Sequence, residues 1–306
     1  GYHILNILDL GCIDAAAIMR RRFKVVVDTV NGAAFFALPA LLEALGCAVV
    51  RLHCNPDGTF PRGTEPVPAN LTDLGAAVVL HGADLGMATD PDADRLALVD
   101  EDGQPLGEDL TQVLAIDGFL RRTGNQQPVV TNLSSSLLLD RICERHGVEV
   151  KRSAVGEINV VNVMRAAGSL IGGEGNGGVI LAESHLGRDS LVGAALVLDR
   201  LAQQTMTIGA VRDSYPKFEI VKDKVSIAGL NPEGVTGHIA AAYTNVQQDT
   251  VDGLKLLWGD RWVHVRKSNT EAVIRIIAEA PDAAAARQLA DDVKQLVMEM
   301  PVKGPQ

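Results

Sequence analysis

The chain has 306 residues, of which 47% are hydrophobic and 4% aromatic, and carries a formal net charge of −10 at pH 7. That length fits two or three domains of roughly 100–150 residues each, with cores made mostly of Val, Leu, Ile and Ala. The acidic balance argues against nucleic acid as a partner, which needs a basic footprint, but local arginines can still hold a small anion.

In chain order, Lys24–Asp28 reads KVVVD, a β-branched run suited to a buried parallel strand. Asn31-Gly32 turns the chain, and a helical pattern over Pro39–Leu45 stops at Gly46. Ala48–His53 is the next strand, and the Pro- and Gly-rich stretch Asn55–Pro68 is a long loop. Leu71–His81 reads as a helix, followed by strands at Asp84–Thr89 and Arg95–Val99 and a turn at Asp102-Gly103. A second alternating unit follows, with a helix at Gly107–Arg122, a strand at Pro128–Asn132, a helix at Ser134–His146 and a strand at Val148–Arg152. Its helix Gly156–Ala167 leads through Ser169–Ile171 to a glycine-rich loop, then to strand Val179–Leu181 and helix Arg188–Gln204. From Tyr215-Pro216 the character changes to strands at Glu219–Ser226, Gly253–Trp258, Trp262–Arg266 and Ala272–Ala280, with helices near Glu233–Thr244 and Ala283–Met298.

The expected fold class is α/β: two α/β domains with mixed sheets, then a C-terminal α+β domain with an antiparallel sheet. The expected divisions are 1–106, 107–214 and 215–306. The first two share a pattern that hints at structural repetition. No apolar run approaches the ~18 residues of a membrane span, so no membrane partner is expected. Cys12, Cys47, Cys54 and Cys143 form no CxxC pair, although Cys47 and Cys54 could be close in space. A reduced, cytoplasmic protein is the expectation. The N-terminus has no basic region followed by an apolar stretch, and a start at Gly1 suggests a processed, tagged or truncated end.

Three motifs carry chemistry. In Asp90-Pro91-Asp92-Ala93-Asp94-Arg95 the carboxylates alternate, so an extended loop would turn all three the same way. Three hard oxygen donors suit Mg²⁺ that also binds a phosphate, with Arg95 helping to position that phosphate. An EF-hand is a rival reading, and Glu101 falls where such a loop ends. However, Arg95 stands where the sharp turn needs Gly, and strand-like Leu96-Ala97-Leu98-Val99 follows. A solvated acidic turn is the bland reading.

The second motif, Gly172-Gly173-Glu174-Gly175-Asn176-Gly177-Gly178, allows close approach of backbone to a ligand. Glu174 and Asn176 could hydrogen-bond vicinal hydroxyls. The spacing is not a dinucleotide fingerprint, and it leads into a strand. In the third, Arg266-Lys267-Ser268-Asn269-Thr270-Glu271, hydroxyls, an amide and backbone N–H groups ring a small anion. Arg266 offers a planar fork to phosphate, and Arg275 lies on the next strand. Taken singly, these two could be a flexible glycine turn and a polar hairpin.

His185 follows Ser184, but adjacency does not make a nucleophile–base pair, so a structural or substrate-edge role is expected. His53 and His81 are expected at the surface. His264, between Val263 and Val265, is expected to fill a strand face, and Cys54 to be a packed thiol.

Together and in this order, the three motifs resemble the α-D-phosphohexomutases, the group of phosphoglucomutases, phosphomannomutases and phosphoglucosamine mutases. The family's metal loop reads like DGDGDR, here DPDADR; its sugar loop like GEMSG or GEGNG, here GEGNGG; its phosphate loop like RxSNTxP or RxSGTEP, here RKSNTEA. The resemblance runs from about Tyr2 to Met300. It implies that Asp90, Asp92 and Asp94 bind Mg²⁺ and that Arg95 contacts the reacting phosphate. Glu174 and Asn176 would hold sugar hydroxyls; Arg266, Ser268, Asn269, Thr270 and Arg275 would hold the non-reacting phosphate. Arg152 and the turn Val155-Gly156-Glu157 lie in a stretch that faces the sugar in relatives. The implied activity is an isomerase's: phosphoryl transfer between a hexose 1-phosphate and a hexose 6-phosphate through a bisphosphate. Hexose phosphates are the implied partners and hexose 1,6-bisphosphate the activator.

The sequence departs from the family at two places. Ala272 replaces the usual Pro after the phosphate loop. The TASHNP-like motif, whose serine is phosphorylated, does not occur in the sequence. Ala182-Glu183-Ser184-His185 is no substitute, because it follows the sugar loop and lacks Asn-Pro. The expectation is therefore domains two, three and four of a mutase, weakly active or inactive alone, with exposed apolar surface favouring self-association. A non-catalytic sugar-phosphate-binding or regulatory protein is the alternative, and a Mg²⁺-dependent phosphatase a third reading. Asn269, where phosphoglucosamine mutases often carry Gly, leans towards glucose or mannose phosphates without naming the sugar.

Overall fold

The computed structural model describes residues 1–226, 231–268 and 273–300. The chain divides into two compact units. The first comprises Gly1–Ser135, Leu139–Arg152 and Gly156–Tyr215; the second runs from Pro216 onward and includes Ser136–Leu138 and Ser153–Val155. Asn269, Thr270 and Ala272 lie outside the described residues.

The first unit opens with two short helices that the sequence reading did not assign, α1 (Tyr2–Leu8) and α2 (Ala15–Arg21). Then come β1 (Lys24–Asp28), α3 (Ala37–Ala44), β2 (Ala48–Leu52), α4 (Thr72–His81), β3 (Leu85–Thr89) and β4 (Leu96–Val99). These four strands form one sheet in the order β2-β1-β3-β4, with β1 parallel to β2 and β3, and β4 antiparallel to β3. Val25, Val26 and Val27 of β1 are all fully buried. A parallel strand covered on both faces is continuously apolar for this reason.

A second set follows: α5 (Glu108–Thr123), β5 (Val129–Asn132), α6 (Leu137–Arg145), β6 (Val150–Ser153), α7 (Glu157–Ala167), β7 (Ile171–Glu174), β8 (Gly178–Leu181), α8 (Ser190–Ala202) and α9 (Ile208–Asp213). Its sheet order is β6-β5-β7-β8, with β5 parallel to β7 and β8 antiparallel to β7. The two sheets thus repeat one order, second-first-third-fourth, each closing on an antiparallel pair. The carboxylate motif joins β3 to β4, and the glycine motif joins β7 to β8. The two motifs therefore occupy equivalent hairpins of a repeated topology.

Two boundaries differ from the sequence expectation in ways that matter. The first half of the glycine run is strand β7, not loop. Helix α8 begins at Ser190 rather than Arg188, because the Asp189 carboxylate accepts from Leu191 N and Val192 N and caps it. Arg188 is left outside the helix. The short helix α9 lies outside the elements that the sequence predicts. Helices α5 and α8 pack closely: a Cβ on Gly118 would sit 2.8 Å from Arg200 Cβ. At this crossing buried Asp117 accepts from Arg200 Nε (2.6 Å), Tyr215 Oη (2.7 Å) and Arg121 Nε (2.9 Å), with His146 Nε2 at 2.8 Å.

In the second unit, β9 (Glu219–Ser226), α10 (Pro232–Ala242), β10 (Gln247–Asp249), β11 (Leu254–Trp258), β12 (Arg261–Lys267), β13 (Val273–Ala280) and α11 (Ala283–Met298) are described. The sheet runs β10-β11-β12-β13-β9 and every pair is antiparallel. Strand β10 is an addition to the strands that the sequence predicts. Helix α11 buries Ala286, Leu289, Ala290, Val293 and Val297, the stripe of an amphipathic helix. They join Leu254, Val263, Val265, Ile274 and Ile276 in one core.

Candidate active site

The segment Asp90–Arg95 is not extended. Ala93 has φ of 67°, and Asp90 Oδ1 accepts from Asp94 N (3.1 Å) and Arg95 N (3.0 Å). The chain turns back on itself, and the turn, not strand alternation, brings the carboxylates together. One oxygen each from Asp90, Asp92 and Asp94 lies within 4.8 Å of the others. Asp90 is buried, Asp92 exposed and Asp94 between. Burial works to raise the Asp90 pKa, but hydrogen bonds from Arg95 outweigh it and hold the carboxyl below its usual range. Asp94 is pushed up to about 7, by burial first and then by the neighbouring Asp90.

Buried Asp94 Oδ1 has no hydrogen-bond partner among the described residues, with Arg95 Nε at 3.6 Å. A lone acceptor inside a cluster of three carboxylates suits a hard cation, so these residues fit Mg²⁺.

Two arginines frame the loop. Arg95 Nε donates to Asp90 Oδ2 at 2.6 Å, while its fork grips Glu65 Oε2 and Oε1 at 2.6 and 3.2 Å. Glu65 comes from the long loop before α4. Buried Arg62 pins that loop by donating to Asp28 Oδ2 at 2.9 Å, as does Asn31 Nδ2 to Asp57 Oδ1 at 2.8 Å. His53 Nδ1 joins the same Asp28 oxygen at 3.2 Å with its side chain 22% exposed. It is therefore partly buried rather than at the surface, held against the carboxylate that Arg62 also pairs. His81 is exposed, as expected.

The second arginine, Arg188, was not singled out from the sequence. It donates to Glu174 Oε2 at 2.9 Å and to Glu157 Oε2 at 3.1 Å, and it bonds Asp94 as well. A signal is present in the sequence: Asp189-Ser190 is an N-cap pattern that starts the helix after Arg188 and leaves Arg188 in the preceding loop.

Glu174 is 3% exposed. Besides Arg188 it accepts from Asn132 Nδ2 (2.8 Å) and Gly156 N (2.9 Å). Asn176 lies in the turn of the hairpin, and its Oδ1 accepts from Gly178 N at 3.1 Å. The close approaches that the glycines permit are to protein. A Cβ on Gly175 would lie 2.2 Å from Asp109 Oδ1, one on Gly177 2.4 Å from Leu96 O, and one on Gly178 2.3 Å from Arg188 Cδ. Leu96 N donates to Gly177 O at 3.0 Å, so the end of the carboxylate loop is bonded directly to the glycine hairpin. Arg152 holds the same neighbourhood, donating to Asn132 O and Ser135 O at 2.9 Å each.

Residues 2–103 match the family model for phosphoglucomutase/phosphomannomutase α/β/α domain II, residues 108–218 that for domain III, and residues 229–296 that for the C-terminal domain. The chain belongs to the phosphoglucomutase/phosphomannomutase family. A phosphoglucomutase/phosphomannomutase of Thermococcus kodakarensis is 39% identical over 279 residues, covering 90% of this chain and 61% of that protein. A probable phosphoglucosamine mutase of Methanopyrus kandleri is 35% identical over 300 residues, covering 96% and 65%. The crystal structure of a phosphoglucomutase/phosphomannomutase family protein from Burkholderia thailandensis superposes with a TM-score of 0.79 at 27% identity, covering 92% of this chain and 63% of that one. The chain spans less than two thirds of the length of the relatives it matches.

The C-terminal domain of this family member carries the third motif. Arg266 and Arg275 are direct partners in the β12–β13 register, and Arg275 pairs in turn with Lys224 of β9. Facing positions in an antiparallel pair share one side of the sheet, so three cations form a row there. Arg266 Nη1 bonds Asp252 Oδ2 at 3.1 Å. Ser268 is buried, and its N–H donates to Val273 O at 2.9 Å. His264 is fully buried, as expected of a face-filling residue, and its pKa falls to about 4, chiefly through burial. Among the described residues no helix is long and apolar enough to cross a membrane. All four cysteines are free; half-buried Cys54 donates weakly to Leu52 O at 3.3 Å.

Proposed function

We propose that this chain supplies the metal-, sugar- and phosphate-holding parts of a phosphohexomutase, which moves a phosphoryl group between the 1- and 6-positions of a hexose. The observation that carries the reading is the convergence of Asp90, Asp92 and Asp94, bonded through Arg188 to Glu174 of the glycine hairpin.

In this reading Asp90, Asp92 and Asp94 hold Mg²⁺, which when bound neutralises charge on the reacting phosphoryl group. Arg95 stands at the loop's edge with a planar fork suited to phosphate oxygens, the same fork that bonds Glu65. Glu174 holds Arg188 in place and, with Asn176, offers acceptors to vicinal sugar hydroxyls. Arg266, Ser268, Asn269, Thr270 and Arg275 hold the non-reacting phosphate; Arg266 and Arg275 are facing partners in the register, which puts both cations on one side of the sheet. The phosphoryl donor, by family resemblance a phosphoserine, is not among these residues, so binding without turnover is the expectation for this chain alone. Hexose 1,6-bisphosphate is the activator in the same reading.

Phosphorus NMR tests it. Hexose 1,6-bisphosphate signals are expected to broaden saturably with the chain and Mg²⁺, and Asp92→Ala is expected to abolish the Mg²⁺-dependent part. Sharp signals at all concentrations of folded protein would overturn the reading. Conversion of a hexose 1-phosphate to a 6-phosphate would show that these residues suffice for turnover. A second reading, a non-catalytic sugar-phosphate sensor, gains from the exposed Glu65 occupying Arg95, which a bound anion would displace.

A further inference from the structure

Away from the carboxylate loop, a second set of metal-ligating side chains converges in the first unit. His3 on α1 and His185 between β8 and α8 both direct Nε2 at one oxygen of Asp189, at 2.7 and 3.0 Å from Oδ2. One ligand atom from each of the three lies within 4.8 Å of the others. The rings stand 5.8 Å apart between centroids, tilted by 52°.

The surroundings fix this arrangement. Asp189 is 6% exposed, and its other oxygen, Oδ1, caps α8 by accepting from Leu191 N (2.9 Å) and Val192 N (3.2 Å). The cap orients the carboxylate and leaves Oδ2 to the two imidazoles. His185 is set by a turn in which its N–H and that of Ser184 both donate to Leu181 O at 3.0 Å. Helix α1 is tied to the same turn by Asn6 Nδ2, 3.4 Å from Ser184 Oγ. The His3 and His185 side chains are 42% and 47% exposed, so an ion can enter and keep water ligands.

Two imidazole nitrogens and one carboxylate oxygen, with open positions, form the donor set of an open zinc-type site. The orienting partner of a ligand, here the helix cap on Asp189, is a usual feature of such sites. We propose that His3, His185 and Asp189 bind a borderline divalent cation such as Zn²⁺, at a site separate from the all-oxygen Asp90-Asp92-Asp94 loop. The proposal does not rest on the mutase reading. It gives the site a route to that loop, because both neighbours of Asp189 reach it: Ser190 Oγ donates to Ala93 O at 2.7 Å, and Arg188 bonds Asp94. Cation binding would clamp α1 to the segment that carries Arg188.

Co²⁺ is the probe, because a low-coordinate nitrogen–oxygen site gives it intense visible bands and an octahedral all-oxygen site gives weak ones. The chelator-treated chain is titrated with Co²⁺, then with Zn²⁺ or Mg²⁺, with circular dichroism confirming that each variant is folded. The expected result is an intense band complete at one equivalent, displaced by Zn²⁺ and untouched by excess Mg²⁺. His3→Gln and His185→Gln should each weaken Zn²⁺ binding at least about tenfold, while Asp92→Ala keeps the band. Absence of an intense band, its persistence in both histidine variants, or its loss in Asp92→Ala would overturn the proposal.

Discussion

Arg188 Nη1 lies 2.9 Å from Glu174 Oε2, and the same guanidinium bonds Asp94, so one side chain joins the two hairpins that carry the first two motifs. Glu174 is 3% exposed, and Arg188 is its paired cation. Removing one partner of a buried pair leaves an uncompensated charge, at about 3–5 kcal/mol. Arg188→Ala is expected to lose about that much stability in urea unfolding, and to weaken hexose-bisphosphate binding. Arg188→Lys should rescue little, because a single ammonium cannot span Glu174, Glu157 and Asp94 as a planar fork does.

Gly177 is a point of contact between the hairpins. Its φ is +91°, and a Cβ there would lie 2.4 Å from Leu96 O. Gly177→Ala should therefore cost more than about 1–3 kcal/mol, and Mg²⁺-dependent ligand broadening should fall with it. Gly124 has φ of +63° and open space around it. Gly124→Ala should cost only about 1 kcal/mol and leave binding intact. Equal effects of the two variants would contradict the close approach at Leu96.

Glu65 occupies the fork of Arg95 with its own side chain 53% exposed. In the proposed reading, a phosphate bound at Arg95 displaces it. Glu65→Gln removes the competing charge at little cost to the fold, since exposed pairs contribute about 0–1 kcal/mol. The expected result is a phosphate-ligand affinity raised by a few-fold, on the order of that energy, measured by calorimetry. Weaker binding would mean that Glu65 organises Arg95 for its ligand instead of competing for it.

Acid should weaken the first unit through Asp117. Burial alone would raise its pKa, but His146, Tyr215 and Arg200 outweigh burial and hold it at about 2, below the ordinary 3.8. A depressed carboxylate stabilises the fold above its unfolded pKa, and that contribution is lost as pH falls through the folded value. Urea stability is therefore expected to drop between about pH 4 and pH 2 by about 2 kcal/mol. Asp117→Asn should lose the stabilisation at neutral pH and flatten that slope.

His264 gives the second unit a different window. Its pKa is about 4, depressed chiefly by burial, against an ordinary 6.5. The unfolded chain binds the proton first, so stability is full above about pH 6.5 and declines towards pH 4, by about 3 kcal/mol. The chain's two tryptophans are Trp258 and Trp262, both in this unit. Tryptophan fluorescence therefore follows its unfolding separately. A pH-independent midpoint over that range would mean that His264 does not stay buried and neutral.

The sequence by itself carried whatever depends on neighbours along the chain. Alternating helices and strands, the KVVVD strand and the change of pattern at Tyr215-Pro216 were legible because periodicity and turn residues act locally. Asp90, Asp92 and Asp94 were legible as a group because they lie within five consecutive residues. The geometry that unites them was not, since it depends on a left-handed Ala93 and on the backbone N–H groups that Asp90 Oδ1 gathers. Tertiary structure decided the rest. Arg188 meets Asp94, 94 positions earlier, and Glu65 meets Arg95, 30 positions later. The glycines after Glu174 are needed because Asp109, Leu96 and Arg188, from three other segments, press against them. A single chain cannot show such pairs, because hydrogen bonds and steric exclusion act through space, and only the repeated sheet order placed the two hairpins side by side.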